Sequence, residues 1–546
     1  MDFLQPVLNG FDVALAPKNL LYVFLGALIG MIIGVLPGLG PVPTIALLLP
    51  LTYEIEPASA VILLAGIYYG AMYGGTVTSV LLRLPGEAAS VVTTFDGYQM
   101  ARQGRAGPAL GIAAIGSFVG GTVSIIGLTL VAPVLAGAAL KFGPPEYTVL
   151  ALIGILLVAS IGSGSKLKAL LAAALGLLLA TVGQDPVTGS SRFTFGSLDL
   201  AEGLDFVVLA MGLFGVAEIL HALEHRHGSV SLATRSLGRK WPSMADWVQS
   251  RGAVLRGSIL GFVVGLLPGG SGTLSSMASY ALEKKRSKTP ERFGRGAIEG
   301  VAGPETANNA AVTAAFIPLL TLGIPANAVM ALMFGALLLQ GITPGPQLIT
   351  SNPDVFWGVV DSMYIGNLFL LILSVPLVGL FIKLVAVRET LLAPVVMMVT
   401  MIGVFTIRNN PFDMFLVIGF GLIGYAMKKS GFDPGPLVLA FVLGRILETS
   451  FRQSLRIFDG DLLGFFKRPI SGGLLLAVAL VALVPLLLRR LSGGRSPLQS
   501  VIEETAEVVV AEDPVLAEQA AARIAHPHGS VAVDEAPPRT ERGPGG

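Results

Sequence analysis

The 546-residue chain contains no cysteine. Disulfides, thiol catalysis and thiolate metal sites are therefore excluded. Charge is also scarce: Asp, Glu, Lys and Arg make up 13% of residues, hydrophobic types 53%, and the net charge is +1. A soluble domain carries about 25% charged residues. Most of this chain therefore cannot present an ordinary water-facing surface, and no nucleic-acid partner is suggested. The chain has no GxxxxGK[ST] loop, which disfavours an ATP-driven pump. The start, MDFLQPVLNG, lacks the basic region and cleavage site of a signal peptide, so insertion is expected to rely on the first hydrophobic segment.

What remains is apolar sequence, with a mean hydropathy of +0.75. A bilayer core about 30 Å thick takes roughly 20 apolar residues per helical crossing. Leu20–Leu36, Ala58–Leu82, Ala109–Leu140, Tyr147–Ile161, Leu204–Leu220, Val355–Ile382, Leu391–Ile407, Met414–Met427 and Gly472–Leu488 qualify or come close. The expected fold is an all-α integral membrane protein with about 12 transmembrane or re-entrant elements. Its 68 glycines and 35 prolines cluster inside these stretches as well as between them. Broken backbone at membrane depth is tolerated only where protein or a watery cavity receives it.

Four regions follow: a first membrane repeat (1–225), a basic cytoplasmic linker (226–256), a second membrane repeat (257–490) and an acidic tail (491–546) read as disordered. The repeats share G-x-x-x-G-x-L-P-G, at Gly30 to Gly38 and again at Gly261 to Gly269. LRLPGEA around Pro85 answers LGIPANA around Pro325, and QGRAGP answers QGITPGP. The nine-residue growth in offset between the first and second of these motif pairs is placed near EKKRSKTPE, Glu283 to Glu291. Basic residues mark cytoplasmic loops. Lys284 to Arg295 is basic where Leu51 to Pro57 is not, whereas Arg102 and Arg105 have uncharged counterparts near Gly341 to Pro346. Opposite bias at equivalent loops is the mark of inverted-topology repeats. The arm from Arg256 to Pro268 is short. As a helix it would span roughly 18 Å of a bilayer core about 30 Å thick. A re-entrant hairpin with LPGGSG at its tip is expected there, and by symmetry another at LPGLGP.

Proline and glycine at such a tip end one helix and start another, whose free N–H groups suit an anion. Pro37, Gly38, Gly40 and Thr44 in the first half, and Pro268, Gly269, Gly270, Ser271, Gly272 and Thr273 in the second, supply small residues and hydroxyls. Substrate carboxylate and a coupling Na⁺ would both fit this mixture; close helix packing is the plainer alternative. EGVAGPETANNAA places Glu305, Asn308 and Asn309 at an apolar segment, where polar groups are costly and usually functional. Glu305 suits a cation or proton, or else caps a helix with Thr306. In the first half, Gly75, Thr76, Thr78 and Ser79 join the candidates, followed by Arg83 and Glu87 around the Pro85-Gly86 break. Tyr68, Tyr69 and Tyr73 read as packing residues, Asp96 as a structural turn, and His221, His225 and His227 as a solvated helix end. No catalytic residue, metal centre or cofactor is expected beyond a coupling Na⁺ or H⁺.

LPGLGPVPTIALLLP, AGIYYGAMYGGTVTSVLLRLPGEAASVVTTFDGYQMARQGRA, GLLPGGSGTLSSMASYALEKKRSKTPERFGRGAIEGVAGPETANNAA and PLLTLGIPANAVMALMFGALLLQGITPGP resemble the large permease subunit of the tripartite tricarboxylate transporter family. The resemblance implies a multi-pass protein of the cytoplasmic (inner) membrane. It also implies a small membrane subunit, a periplasmic or lipid-anchored solute-binding protein, and gradient-driven uptake of organic acids. One departure is Pro325-Ala326-Asn327, where the family more often has Pro-Gly-Ser; Asn327 sets a bulkier amide beside the break and bears on substrate choice. A passive organic-anion channel predicts flux without a gradient. An intramembrane serine protease would use Ser271, but no histidine follows it within a hydrophobic segment.

Overall fold

The computed structural model describes residues 4–36, 40–161, 165–185, 187–224, 241–267, 269–374, 376–384, 389–476 and 479. Pro37, Gly38, Pro268, residues 225–240 of the linker, His225, His227 and the tail lie outside the described residues.

The described chain is mostly helical. Its first part comprises α1 (Leu4–Leu15), α2 (Pro17–Val35), α3 (Pro41–Leu48), α4 (Pro57–Leu82), α5 (Thr93–Arg102), α6 (Ala106–Ala139), α7 (Pro144–Ile161) and α8 (Lys166–Ala180). A two-strand hairpin, β1 (Gly183–Gln184) and β2 (Ser191–Arg192), precedes α9 (Phe206–Ala210), which continues through a π-helical turn at Met211–Val216 into α10 (Ala217–Glu224). The second part comprises α11 (Met244–Gly265), α12 (Gly272–Arg286), α13 (Glu299–Ala314), α14 (Phe316–Leu322), α15 (Ala328–Leu339), α16 (Leu348–Ser351) and α17 (Pro353–Ser374). It continues with α18 (Val378–Leu384), α19 (Glu389–Arg408), α20 (Pro411–Lys429), α21 (Gly435–Ile457) and α22 (Gly464–Lys467). Among the described residues, α2, α4, α6, α17 and α20 are long and apolar enough to cross a membrane.

Local signals start and stop these helices where the sequence places them. Proline opens α2, α3, α4 and α20, a position where its missing N–H costs nothing. α11 is an exception: it starts at Met244, well before Arg256, the start assumed for the short hairpin arm. The reason is a capping box: the Ser243 hydroxyl receives Asp246 N–H, and Asp246 receives Ser243 N–H. The helix has 22 residues, so the length argument for a re-entrant arm at Arg256 does not hold. α11 and α12 nevertheless form a hairpin. At its base Arg256 Nε and Nη2 donate to Glu283 at 2.7 and 2.5 Å.

Two helix pairs carry the interior, α2 with α4 and α11 with α13. Each pair is parallel and packs backbone on backbone. A Cβ on Gly26, Gly30 or Gly34 would lie 2.5, 2.5 and 2.1 Å from the carbonyls of Leu63, Ile67 and Ala71. On Gly257, Gly261 or Gly265 it would lie 2.6, 2.2 and 2.3 Å from those of Gly303, Ala307 and Ala311. Each glycine of the first stripe meets the residue 37 positions on, and each of the second the residue 46 positions on. The nine extra residues therefore fall between α11 and α13, as the motif offsets imply. Parallel pairing forces the intervening α3 and α12 to run back. α6 covers α13, with Gly120 against the Thr306 carbonyl and Ser124 Oγ donating to Ala310 O at 2.7 Å. α17 covers α4, with Gly366 against Tyr69 and Tyr73 OH donating to Asn367 Oδ1 at 2.9 Å.

Small residues permit this approach, and packing is what holds helices together in lipid. Gly34→Val is expected to cost at least about 1–3 kcal/mol through overpacking, read as a lower thermal midpoint or lost folded yield. Gly137→Ala, whose added carbon meets nothing within 4 Å, should leave both unchanged.

Candidate functional site

Both long helix pairs are followed by the same break. α4 ends at Arg83, held in the left-handed conformation (φ 59°), and α14 ends at Gly323 (φ 70°). After each comes an extended proline segment and a new start, at Glu87 before Ala88–Ser90 and at Asn327 before α15. Asn327 Oδ1 caps α15 by accepting Met330 N–H at 3.0 Å. Glu87 and Asn327 thus hold the same place in the two halves.

The breaks reach across to the opposite helix pair. Glu87 lies beside Asn308 on α13, and Asn327 Nδ2 donates to Tyr68 OH on α4 at 3.3 Å. Tyr68 and Asn308 are themselves separated by the same offset that relates Glu87 to Asn327. Gly86 packs on the Gly34 carbonyl, and Gly75 on Glu87, so neither glycine has room for a side chain. Ser79 Oγ donates to Gly75 O and approaches Ser90 Oγ, both at 2.9 Å; Thr78 Oγ1 donates to Gly75 O at 3.2 Å.

At the centre is Glu305, 1% exposed. Its Oε2 accepts Thr76 Oγ1–H at 2.8 Å, and its Oε1 accepts the Thr93 hydroxyl. Asn309 Nδ2 donates to Ser117 Oγ at 2.8 Å and to Glu305 O at 3.1 Å. Asn308 is fully buried, yet neither its amide nitrogen nor its oxygen has a hydrogen-bond partner, and the same is true of Glu87 Oε1. A buried polar atom without a partner costs about 1–3 kcal/mol. The start of α12 packs against this cluster: Gly272 faces Asn308 Oδ1, and Ser276 Oγ donates to Ala89 O at 2.8 Å.

The expected residues therefore divide. Thr76, Gly75, Gly272, Glu305, Asn308 and Asn309 converge. Thr78 and Ser79 brace the turn behind them. Ser271 caps α12, accepting Leu274 N–H at 3.2 Å. Gly269 N–H bonds to Ala326 O at 2.8 Å, tying the tip to the Asn327 break, while Gly270 packs under the Val264 carbonyl. Thr273 serves through its carbonyl, which accepts Ser276 Oγ–H at 3.0 Å. Gly40 faces open space, and Thr44 Oγ1 returns to Gly40 O at 3.0 Å; no contact joins either to Glu305 among the described residues. Thr93, Ser117 and the role of Glu87 escaped the sequence reading. Matching Glu87 to Asn327 through the offset between Pro85 and Pro325 was the available signal.

Asp96 is more than a turn. Its Oδ1 accepts N–H from Gly294, Gly296 and Ala297 at 2.9, 2.8 and 2.7 Å, and its Oδ2 accepts Tyr280 OH at 2.9 Å. Thr93 and Asp96, one turn apart on α5, thus bind two separate parts of the second half. Among the described residues no group of three or more His, Cys, Asp or Glu is placed to hold a metal ion. A cavity of about 360 Å³ opens elsewhere, beside Phe206, Phe334, Arg408 and Arg445. It shares no residue with the Glu305 cluster, and Arg408 there already pairs with Glu202. The unpartnered polar atoms are the candidate site, because a void alone specifies no ligand.

The model of the tripartite tricarboxylate transporter TctA family matches residues 20–439. The chain belongs to this family. An Agrobacterium vitis protein, "Uncharacterized 52.8 kDa protein in TAR-I ttuC' 3'region", is 50% identical over 488 residues, covering 89% of this chain and 97% of its own. A second from the same organism, "Uncharacterized protein in TAR-II ttuC' 3'region", is 51% identical over 228 residues, 41% of this chain and 94% of its own. No solved structure matches. The family is one of non-enzymatic permeases, so the Ser271 protease alternative falls, in keeping with its capping role. This TctA-family chain is a multi-pass membrane protein and a permease subunit of a tricarboxylate transporter.

Asp96→Ala should leave four donors, three of them buried, short of an acceptor, at about 1–3 kcal/mol for each buried one before relaxation. The expected result is a markedly lower thermal midpoint in detergent, measured against the wild-type chain.

Proposed function

We propose that this chain is the large permease subunit of a solute-binding-protein-dependent secondary transporter of the inner membrane. It imports tricarboxylates or related organic acid anions, with a cation or proton gradient as the driving force. A small membrane subunit and a periplasmic or lipid-anchored binding protein complete it. The observation that carries the site is the unpartnered Asn308 amide, enclosed by Gly272, Glu87 and Glu305. An amide whose one polar neighbour is the Glu87 carboxylate, with no well-formed hydrogen bond, keeps donor and acceptor capacity for a ligand. Transporter sites sit where helices break at the interface between repeats; the first-half break reaches Asn308, and the second-half break reaches Tyr68 on α4.

Inverted-topology repeats underlie this reading. Several contacts support it. The two glycine stripes have the same register apart from nine residues, and the Glu87–Asn308 approach has its exchange partner in Asn327–Tyr68. α6 runs parallel to α13, while α17 runs antiparallel to α6, with Gly121 near Asn367 and Thr129 Oγ1 3.2 Å from Tyr364 OH. α17 shares the direction of α4, so the two pairs are opposed. The tips around Pro37 and Pro268, with Gly38 and the residues that follow each, would clasp the anion. The full count of about 12 spanning or re-entrant elements belongs to the same proposal, as do the four regions bounded at 225, 256 and 490.

The test is uptake of radiolabelled citrate by cells carrying all three components. Asn308→Ala should reduce it about tenfold or more, the size expected when a bonding group is removed from a buried polar contact, while the chain reaches the membrane in normal amount. Ser271→Ala should reduce it less, since helix capping is worth about 1 kcal/mol. Undiminished uptake by Asn308→Ala would remove the site.

A further inference from the structure

A pocket for an organic anion should attract negative charge, and this one repels it. Two carboxylates, Glu305 and Glu87, stand at it within electrostatic reach of one another. Neither forms an ion pair with Lys or Arg among the described residues. The ion pairs of the described residues join other acids. The Glu305 carboxylate is bonded through the hydroxyls of Thr76 and Thr93, and Glu87 lies against the Ala89 and Ser90 backbone and the Asn308 amide with its Oε1 unpartnered. A buried carboxylate with no counter-charge is costly even when hydrogen-bonded, and an incoming carboxylate beside two of them is worse by mutual repulsion in a poorly screened site.

The other ionisable groups do not relieve this. Tyr73 on α4 donates to Asn367. Along α13, Gly300 faces Asp96, which is saturated by three N–H groups and Tyr280, and Gly303 faces Glu283, which is paired with Arg256. α6 contributes Ser117 and no ionisable group to the contacts of Glu305 and Asn309.

Resting on the function proposed above, we infer that Glu305 and Glu87 are the loading sites for monovalent cations, Na⁺ or H⁺, and that both must be loaded before the pocket accepts its anion. Oxygen atoms for such a cation are at hand: the two carboxylates, the Thr76 and Thr93 hydroxyls and Asn308 Oδ1. Hard cations take oxygen ligands of these kinds. Two cations convert a site with a charge of two negatives into a neutral one, and only then is a carboxylate bonded by the Asn308 amide with a net gain in stability. The order of binding thus follows from charge, without any moving part being specified.

The experiment uses the purified full-length chain with no organic acid present. Its thermal midpoint is recorded while Na⁺ is raised a hundredfold to about 100 mM, conditions in which a ligand of the native state adds stability by mass action. A second series varies pH in Na⁺-free medium. Na⁺ should raise the wild-type midpoint, and Glu305→Gln, Glu87→Gln and the double variant should lose most of that rise. If the cation is a proton, the same loss appears in the pH series and Na⁺ has no effect. Thr93→Val, which keeps the charge and removes one oxygen, should weaken the response, so the inference remains testable if a Gln variant fails to fold. Glu56→Gln, at an exposed pair with Lys18, should respond like wild type. A wild-type response in the double variant, or no response of the wild-type chain to either cation, would overturn the assignment. Because no organic acid enters the measurement, that failure is distinct from failure of Asn308→Ala to affect citrate uptake.

Discussion

Hydrocarbon offers no hydrogen bonds, and this governs the architecture. A helix may break inside a membrane only where other protein atoms receive the freed backbone groups. Here the receivers are chiefly other backbones. Gly269 N–H goes to Ala326 O, Gly86 packs on the Gly34 carbonyl, and Gly270 lies under that of Val264. The glycine stripes of α2 and α11 exist because two helices must approach closely enough for a third strand of chain, the turn-and-break, to be enclosed with them. Remove that proximity and the breaks would face lipid.

Within that enclosure most polar side chains of the described residues have an assigned neighbour, but Tyr69 OH, Ser279 Oγ and both carboxylate oxygens of Asp361 are without one, as are two further groups. Glu305 is satisfied by Thr76 and Thr93, Asn309 by Ser117, Tyr73 by Asn367. Asn308 and one oxygen of Glu87 are not. Asn308 and Glu87 differ from the other unpartnered groups in meeting one another, and they do so between the first-half break and the second-half helix. α5 runs alongside, bonding Glu305 through Thr93 and the 294–297 loop through Asp96. The charge at Glu305 is thereby mechanically adjacent to the clasp that joins the halves.

Much of this was legible beforehand. Apolar runs gave α2, α4, α6, α7, α9–α10, α19 and α20 within a few residues, because helices of membrane length advertise that length in composition. The paired Pro-Gly motifs located the breaks, whereas Glu305, Asn308, Asn309 and Thr76 were named as polar groups set in apolar sequence. Three things were hidden. The start of α11 lay in polar sequence, set by a Ser243–Asp246 cap that hydropathy ignores. Thr93 sits in a helix of mixed polarity and becomes significant only when it meets Glu305, 212 positions away. Asp96 reads locally as a turn, since its four donors all come from the second half.

The two hairpins are unequal. α3 has 8 residues and ends under proline, whereas α12 has 15 and ends in Lys284, Lys285 and Arg286. If the halves exchange roles during transport, the two resulting forms are not mirror images and cannot have equal free energy. One face of the membrane is then favoured at rest even with no gradient imposed, so the resting orientation, though not the direction of net flux, is written partly into chain length.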